Sequence, residues 1–240
     1  MNVIAEDANA GDVRCRVFSP AGATRRWPAV VAWSDIFQLT LPHVRFCARL
    51  ASHGFLVVAP ELYGRFEPKG TALRFEEERQ RALDDSLKLE LAWIDADIAA
   101  ALDLARGHPR ADATRLATVG FCFGGHVALR AALSPDVRAA ACFYPTGLHT
   151  DTLGAAQGTA RTLAEATRLR ARLLLVWGTR DPHIPAEGRH RIHAALAAAG
   201  VSFDVHHFDA EHAFLRDEGP RWDPAAADEA FGVLLGHLAR

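Results

Sequence analysis

Short apolar runs alternate along the chain with segments whose apolar residues recur every three or four positions. Val13–Phe18 alternates apolar and polar and reads as an edge strand, whereas Ala29–Trp33 (AVVAW) is continuously apolar, as in a strand buried on both faces. Val44, Cys47, Ala48 and Ala51 then fall at i, i+3, i+4 and i+7, which predicts a helix ending near Gly54. Phe55–Ala59 (FLVVA) is the next strand, stopped by Pro60. A polar stretch from Arg65 to Arg81 leads into a helix expected to run to about Arg106, with Leu91, Ile94, Ile98, Ala101 and Ala105 on one face. Leu116–Val119, Ala139–Phe143, Leu173–Trp177 and Phe203–Phe208 read as further strands. Helices are expected at about 124–133, 186–199 and 224–239.

Strand and helix alternating over the whole length imply an α/β fold, a mostly parallel sheet with helices on both faces. No repeat or linker divides the chain, so 1–240 reads as a single domain. The segment Thr146–Arg168, rich in Gly, Thr and Ala, is the best candidate for a mobile loop or lid.

Composition narrows the class of partner. Charged residues make up 23% with both signs interspersed and a net charge of −2, which argues against a nucleic-acid surface. No apolar run approaches the roughly 20 residues of a membrane span. The opening MNVIAEDANAGD lacks the apolar stretch of a signal peptide, so a cytoplasmic location is expected. The four cysteines form no CxxC pair, and buried thiols are the simple reading for Cys15, Cys47 and Cys142.

Cys122 is different. Gly120-Phe121-Cys122-Phe123-Gly124-Gly125 contains G-x-C-x-G, the strand-to-helix turn that presents a nucleophile, with cysteine where serine is usual. Such a turn exposes the thiol at the carboxyl end of the sheet and at a helix N-terminus, whose partial positive charge favours thiolate. The glycines do not satisfy G-x-G-x-x-G, and no G-K-[ST] follows, so neither a dinucleotide loop nor a P-loop is supported. A cysteine that merely packs in an ordinary strand-helix turn remains the alternative for the motif alone.

A nucleophile on this turn requires an acid after a later strand and a histidine after the last one. Asp181 follows Leu173–Trp177 in Gly178-Thr179-Arg180-Asp181-Pro182, and His212 follows Phe203–Phe208 in Asp209-Ala210-Glu211-His212. Singly, Asp181 could be a turn residue and His212 a solvated loop histidine. Together, and in that order, they form a Cys-His-Asp set in which His212 moves the proton and Asp181 orients it. His126 lies in the helix after Cys122 and reads as packing or pocket lining. His206 and His207 point to opposite faces of a strand, and His190 and His193 share a helix face. None of these makes a convincing metal ligand set, and no metal or other cofactor is expected.

These residues resemble the dienelactone hydrolase family (carboxymethylenebutenolidases) of the α/β-hydrolase superfamily, over nearly the whole chain. Ser34-Asp35-Ile36-Phe37, Pro60-Glu61-Leu62-Tyr63, Glu78-Arg79-Gln80-Arg81, the Asp181 loop and His212-Ala213-Phe214 all match its motifs. The resemblance implies an α/β-hydrolase fold and a cysteine hydrolase of esters or lactones. Asp35 falls where the family carries a glutamate that contacts the resting cysteine; a turn residue or helix cap is its alternative. Ile36 and Phe123 would supply the oxyanion-binding amides. Arg81 and Arg216 would hold a substrate carboxylate, although Arg81 sits in a run of surface charge. Asp85 replaces a family tyrosine, and Ala213 a serine. The expected partner is a small ester or lactone, with or without a carboxylate, met by a monomer or small homo-oligomer. A ligand-binding protein without activity, or a thiol acyltransferase, would share the fold.

Overall fold

A computed structural model describes residues 1–22 and 25–240. Among these, eight strands form one sheet: β1 (Val3–Ala10), β2 (Val13–Pro20), β3 (Trp27–Trp33), β4 (Leu56–Pro60), β5 (Ala111–Phe121), β6 (Val137–Phe143), β7 (Arg172–Gly178) and β8 (Phe203–Phe208). Their order is β1-β2-β4-β3-β5-β6-β7-β8, antiparallel at the β1–β2 and β2–β4 pairs and parallel from β4 to β8. The helices are α1 (Leu41–Ser52), α2 (Arg79–Lys88), α3 (Leu91–Gly107), α4 (Phe123–Ala131), α5 (Ala186–Ala198) and α6 (Pro224–Ala239). No helix of the described residues is long and apolar enough to cross a membrane.

The connections set the layers. The chain leaves β3 for β4 in one direction along the sheet and leaves β5 for β6 in the other. Right-handed crossovers therefore put α1 and α4 on opposite faces. Contact of Phe46 on α1 with Phe231 on α6, ring centroids 5.8 Å apart, groups α1 with α6. The connections reverse direction between β3 and β5, which opens a crevice at their carboxyl ends. Asp35 and Ile36 follow β3 into that crevice, and Cys122 follows β5. The central strands are the apolar runs of the sequence. β4 is buried throughout, and every residue of β7 after Arg172 is buried.

Two elements differ from expectation. β1 was not anticipated, because Val3–Ala10 carries Glu6, Asp7 and Asn9 and is mostly exposed. It is an edge strand held by pairing with β2 through a two-residue turn, with Gly11 at φ 58°. The single helix expected to reach Arg106 is two helices, broken at Leu89 and Glu90, both of which are extended. Tertiary contacts cause the break. The Leu89 side chain is buried, and its carbonyl accepts from the Ala155 amide at 2.8 Å.

Candidate active site

Three glycines shape the turn that carries Cys122. A Cβ on Gly120 would lie 1.9 Å from the Gly124 carbonyl oxygen, and one on Gly124 would lie 2.2 Å from that of Ser34. On Gly125 it would meet the Phe143 oxygen at 2.7 Å. Only glycine lets β5, α4 and the neighbouring strand ends pass this closely. Cys122 itself takes φ 55° and ψ −120°, a conformation that side-chain-bearing residues rarely adopt. Neighbouring backbone holds it there: its N–H donates to Phe143 O at 3.0 Å, and its carbonyl accepts from the Thr146 amide at 3.0 Å. The Thr146 hydroxyl donates to the Cys122 sulfur at 3.4 Å.

The acid and the histidine meet because their two loops are zipped together. Thr179 N–H donates to Phe208 O at 2.8 Å, and Arg180 N–H to Ala210 O at 3.0 Å. Gly178 permits this, since a Cβ there would lie 2.5 Å from Ala210 O. As a result His212 Nδ1 stands 2.7 Å from Asp181 Oδ2, with both side chains almost fully buried. The second Asp181 oxygen accepts from the His183 amide at 2.7 Å. The imidazole lines the same cleft as Cys122, and Tyr144 packs edge-on against it with centroids 4.9 Å apart.

Electrostatics follow the geometry. Burial pushes His212 down, but the sulfur of Cys122 and the Asp181 carboxylate outweigh it and raise the imidazole to about 9. Burial likewise opposes ionisation of Asp181, but the hydrogen bond and charge of His212 leave it below the usual carboxylate range.

Cys122 and His212 open onto a cleft of about 240 Å³, with Asp181 buried behind the imidazole. Asp35, Ile36 and Phe37 line it beside Cys122 and Phe123; α2 contributes Arg79, Leu83 and Leu87; Thr146 and Gln157 come from the expected lid. That segment forms a wall, pinned along its length. His126 Nε2 pairs with Thr162 Oγ1 at 2.8 Å, Arg130 donates to Ala160 O at 2.8 Å, and Leu148, Leu153 and Ala166 are buried.

The sequence profile of the Dienelactone hydrolase family matches residues 13–239. The chain belongs to that family. A Saccharomyces cerevisiae relative named "Putative carboxymethylenebutenolidase" is 34% identical over 237 residues, covering 95% of this chain and 86% of its own. The carboxymethylenebutenolidase of Pseudomonas sp. strain P51 is 28% identical, covering 91% and 87%. A Klebsiella pneumoniae crystal structure, described as a "Putative Dienelactone Hydrolase", superimposes with a TM-score of 0.86 at 25% identity and 99% coverage of both chains. The fold is therefore that of the α/β-hydrolases, and the chain is an ester or lactone hydrolase of dienelactone hydrolase type. A family of enzymes does not favour the reading without activity.

Set against dienelactone hydrolase expectations, the remaining residues divide. Asp35 lines the cleft, but its Oδ1 accepts from the Phe37 amide at 2.9 Å, a local loop contact. Its other oxygen lies 4.0 Å from Arg216 Nη1. Burial raises the Asp35 carboxyl, partly opposed by the Phe37 amide and the Arg216 charge. Arg216 lines the cleft, with its guanidinium 3.8 Å from the Phe75 ring centroid. Arg81 does not join it. It is exposed, bonded to Glu67 at 2.6 Å and Glu78 at 2.9 Å, and outside the cleft lining. The arginine at that end of α2 which does line the cleft is Arg79.

Three residues near the reacting groups escaped the sequence reading. Thr146 was placed only in the lid, although its position just after β6, beside the turn, was the available signal. His183, two residues past Asp181, packs its ring 4.7 Å from that of His212. Tyr63, seen only as part of a motif, donates its hydroxyl to Ile36 O at 2.8 Å and so steadies the loop after β3.

Proposed function

We propose that this hydrolase cleaves its ester or lactone through Cys122, with His212 as proton carrier and Asp181 orienting it. The observation that carries the reading is the 2.7 Å His212–Asp181 bond, on an imidazole that lines one cleft with Cys122, itself held at φ 55°. Transfer of the Cys122 thiol proton to His212 gives the thiolate and imidazolium on which thiol hydrolases rely.

The Cys122 sulfur attacks the carbonyl carbon, and a C–S bond forms as the carbonyl oxygen takes negative charge. The amides of Ile36 and Phe123 receive that oxyanion. Phe123 opens α4, where N–H groups have no partner within the helix and the dipole favours an anion. The C–O bond then breaks, and the leaving oxygen takes the His212 proton. For a lactone, that alcohol stays tethered to the acyl group. Water next gives a proton to His212 and attacks the thioester carbon. The C–S bond breaks, releasing acid and restoring thiolate.

Asp35 cannot reproduce the family glutamate by simple identity of contacts, since one oxygen is engaged by its own loop. Thr146 supplies a donor to the resting sulfur instead. Arg216 is the residue that would hold a substrate carboxylate, through an unshared Nε and a guanidinium facing the cleft. Arg81 is not assigned a role in binding.

The test is hydrolysis of a p-nitrophenyl ester and of cis-dienelactone by wild type and Cys122→Ala. The variant is expected to lose about a thousandfold or more in kcat/KM. Wild-type rates in the variant would remove Cys122 from the mechanism.

A further inference from the structure

Helix α2 faces the opposite way from an ordinary amphipathic helix. Its buried residues are Ala82, Asp85 and Ser86, while Leu83 and Leu87 remain 38% and 53% exposed. A surface helix normally turns its leucines to the core and its carboxylates to water. Here Asp85 is buried, with Oδ1 accepting from Lys88 Nζ at 2.7 Å and Oδ2 lying 4.0 Å from Arg81 Nε. Glu67, Glu78 and Asp85 together draw Arg81 away from the cleft. The leucines, four residues apart, share one stripe with Arg79, and that stripe lines the cleft that holds Cys122. Phe75 and Phe123 line the same space.

Exposed leucine is ordinary when scattered. Two leucines on one stripe, inside a reactive cleft and at the expense of a buried carboxylate, indicate an apolar occupant. We propose that Leu83 and Leu87, with Phe75, form a hydrocarbon subsite. The favoured substrates are then esters or lactones carrying an aliphatic or aromatic group of several carbons, in place of a small ring gripped by two arginines. The location of the subsite relative to the reacting bond rests on the reading that cleavage occurs at Cys122. A cleft of about 240 Å³ has the room of about eight waters at roughly 30 Å³ each, enough for an ester group and a chain of about six carbons.

The experiment measures kcat/KM for p-nitrophenyl acetate, butyrate, hexanoate and octanoate, and for ethyl, butyl and hexyl acetate. These series place the hydrocarbon on the acyl or the alcohol side. In wild type one series is expected to rise about threefold per methylene until the cleft is filled. In Leu83→Ser/Leu87→Ser the ratio of longest to shortest substrate is expected to fall at least fivefold, and Leu83→Met/Leu87→Met should restore it. Thermal unfolding of each variant shows that the protein tested is folded. Flat profiles in both wild-type series, or an unchanged ratio in the serine variant, overturn the subsite. The nucleophile is judged separately. Cys122→Ala that still hydrolyses with the same chain-length slope sinks the cysteine and supports the subsite, whereas Cys122-dependent hydrolysis without a slope sinks the subsite alone.

Discussion

On one side of the cleft, Cys122, His212 and Asp181 are held by backbone: three glycines at the turn, two N–H···O hydrogen bonds between loops, and carbonyls of neighbouring strands. On the other side, α2 meets the cleft with side chains alone, and its charged residues Arg81 and Lys88 are tied to Glu67, Glu78 and the buried Asp85. The first arrangement admits almost no substitution, because a Cβ at Gly120 or Gly124 collides with main chain that cannot turn aside. The second tolerates exchange, since the residue at each exposed helix position alters what the cleft contacts without moving the sheet. The proposed reacting groups and the proposed recognition surface are thus supported by different forces, and each can vary without the other.

The most severe way to break this contrast is Gly120→Ala. A methyl group 1.9 Å from Gly124 O must push β5 and α4 apart. The expected cost is about 3 kcal/mol or more, with loss of hydrolysis even in whatever protein folds. Denaturant unfolding and a rate assay check both. A variant as stable and active as wild type would show that the turn is not rigidly specified.

A second test uses pH. In the proposed mechanism His212 gives the leaving oxygen a proton that it carries below about 9, so kcat/KM is expected to fall about tenfold per unit as pH rises above about 9. The corresponding stability has the same sign. The folded value is raised above 6.5, so the contribution is fully present below about 6.5 and is lost as pH rises through about 9. Because the Cys122 sulfur helps raise it, His212 in Cys122→Ala should titrate at lower pH, which NMR of the imidazole reads directly.

The smallest effects compare two arginines. Arg216→Ala should raise KM for a carboxylate-bearing substrate by roughly tenfold relative to a neutral ester. Arg81→Ala, which removes an exposed guanidinium outside the cleft lining, should change that ratio less than about twofold and stability by about 1 kcal/mol or less. Equal losses in both would place Arg81 back at the substrate.

Much of the molecule was legible in the chain. Five of the strands, β3 to β7, follow from apolar runs, because strands buried on both faces must be apolar, and β2 follows from its alternation. β1 was missed because an edge strand can be acidic and exposed and still be held by backbone bonds. The candidate catalytic set was legible because the order of residues after successive parallel strands is a property of sequence, and a parallel sheet brings all strand ends to one edge. Arg81 was misread as a cleft residue because its side chain is directed by Glu67, which lies 14 residues away and on no shared helix. Thr146 and His183 were passed over because neither residue type announces contact with a sulfur or an imidazole.

The sequence by itself therefore determined the sheet apart from β1, the strained turn, and the arrival of Cys122, His212 and Asp181 at one edge of that sheet. Periodicity, glycine spacing and chain order are local properties that a parallel α/β fold converts into position. Only the tertiary structure decided that α2 breaks at Leu89, that it turns Leu83 and Leu87 into the cleft, and that Arg81 points away. Those outcomes depend on which distant carbonyl or carboxylate arrives beside a side chain, and no local pattern encodes that.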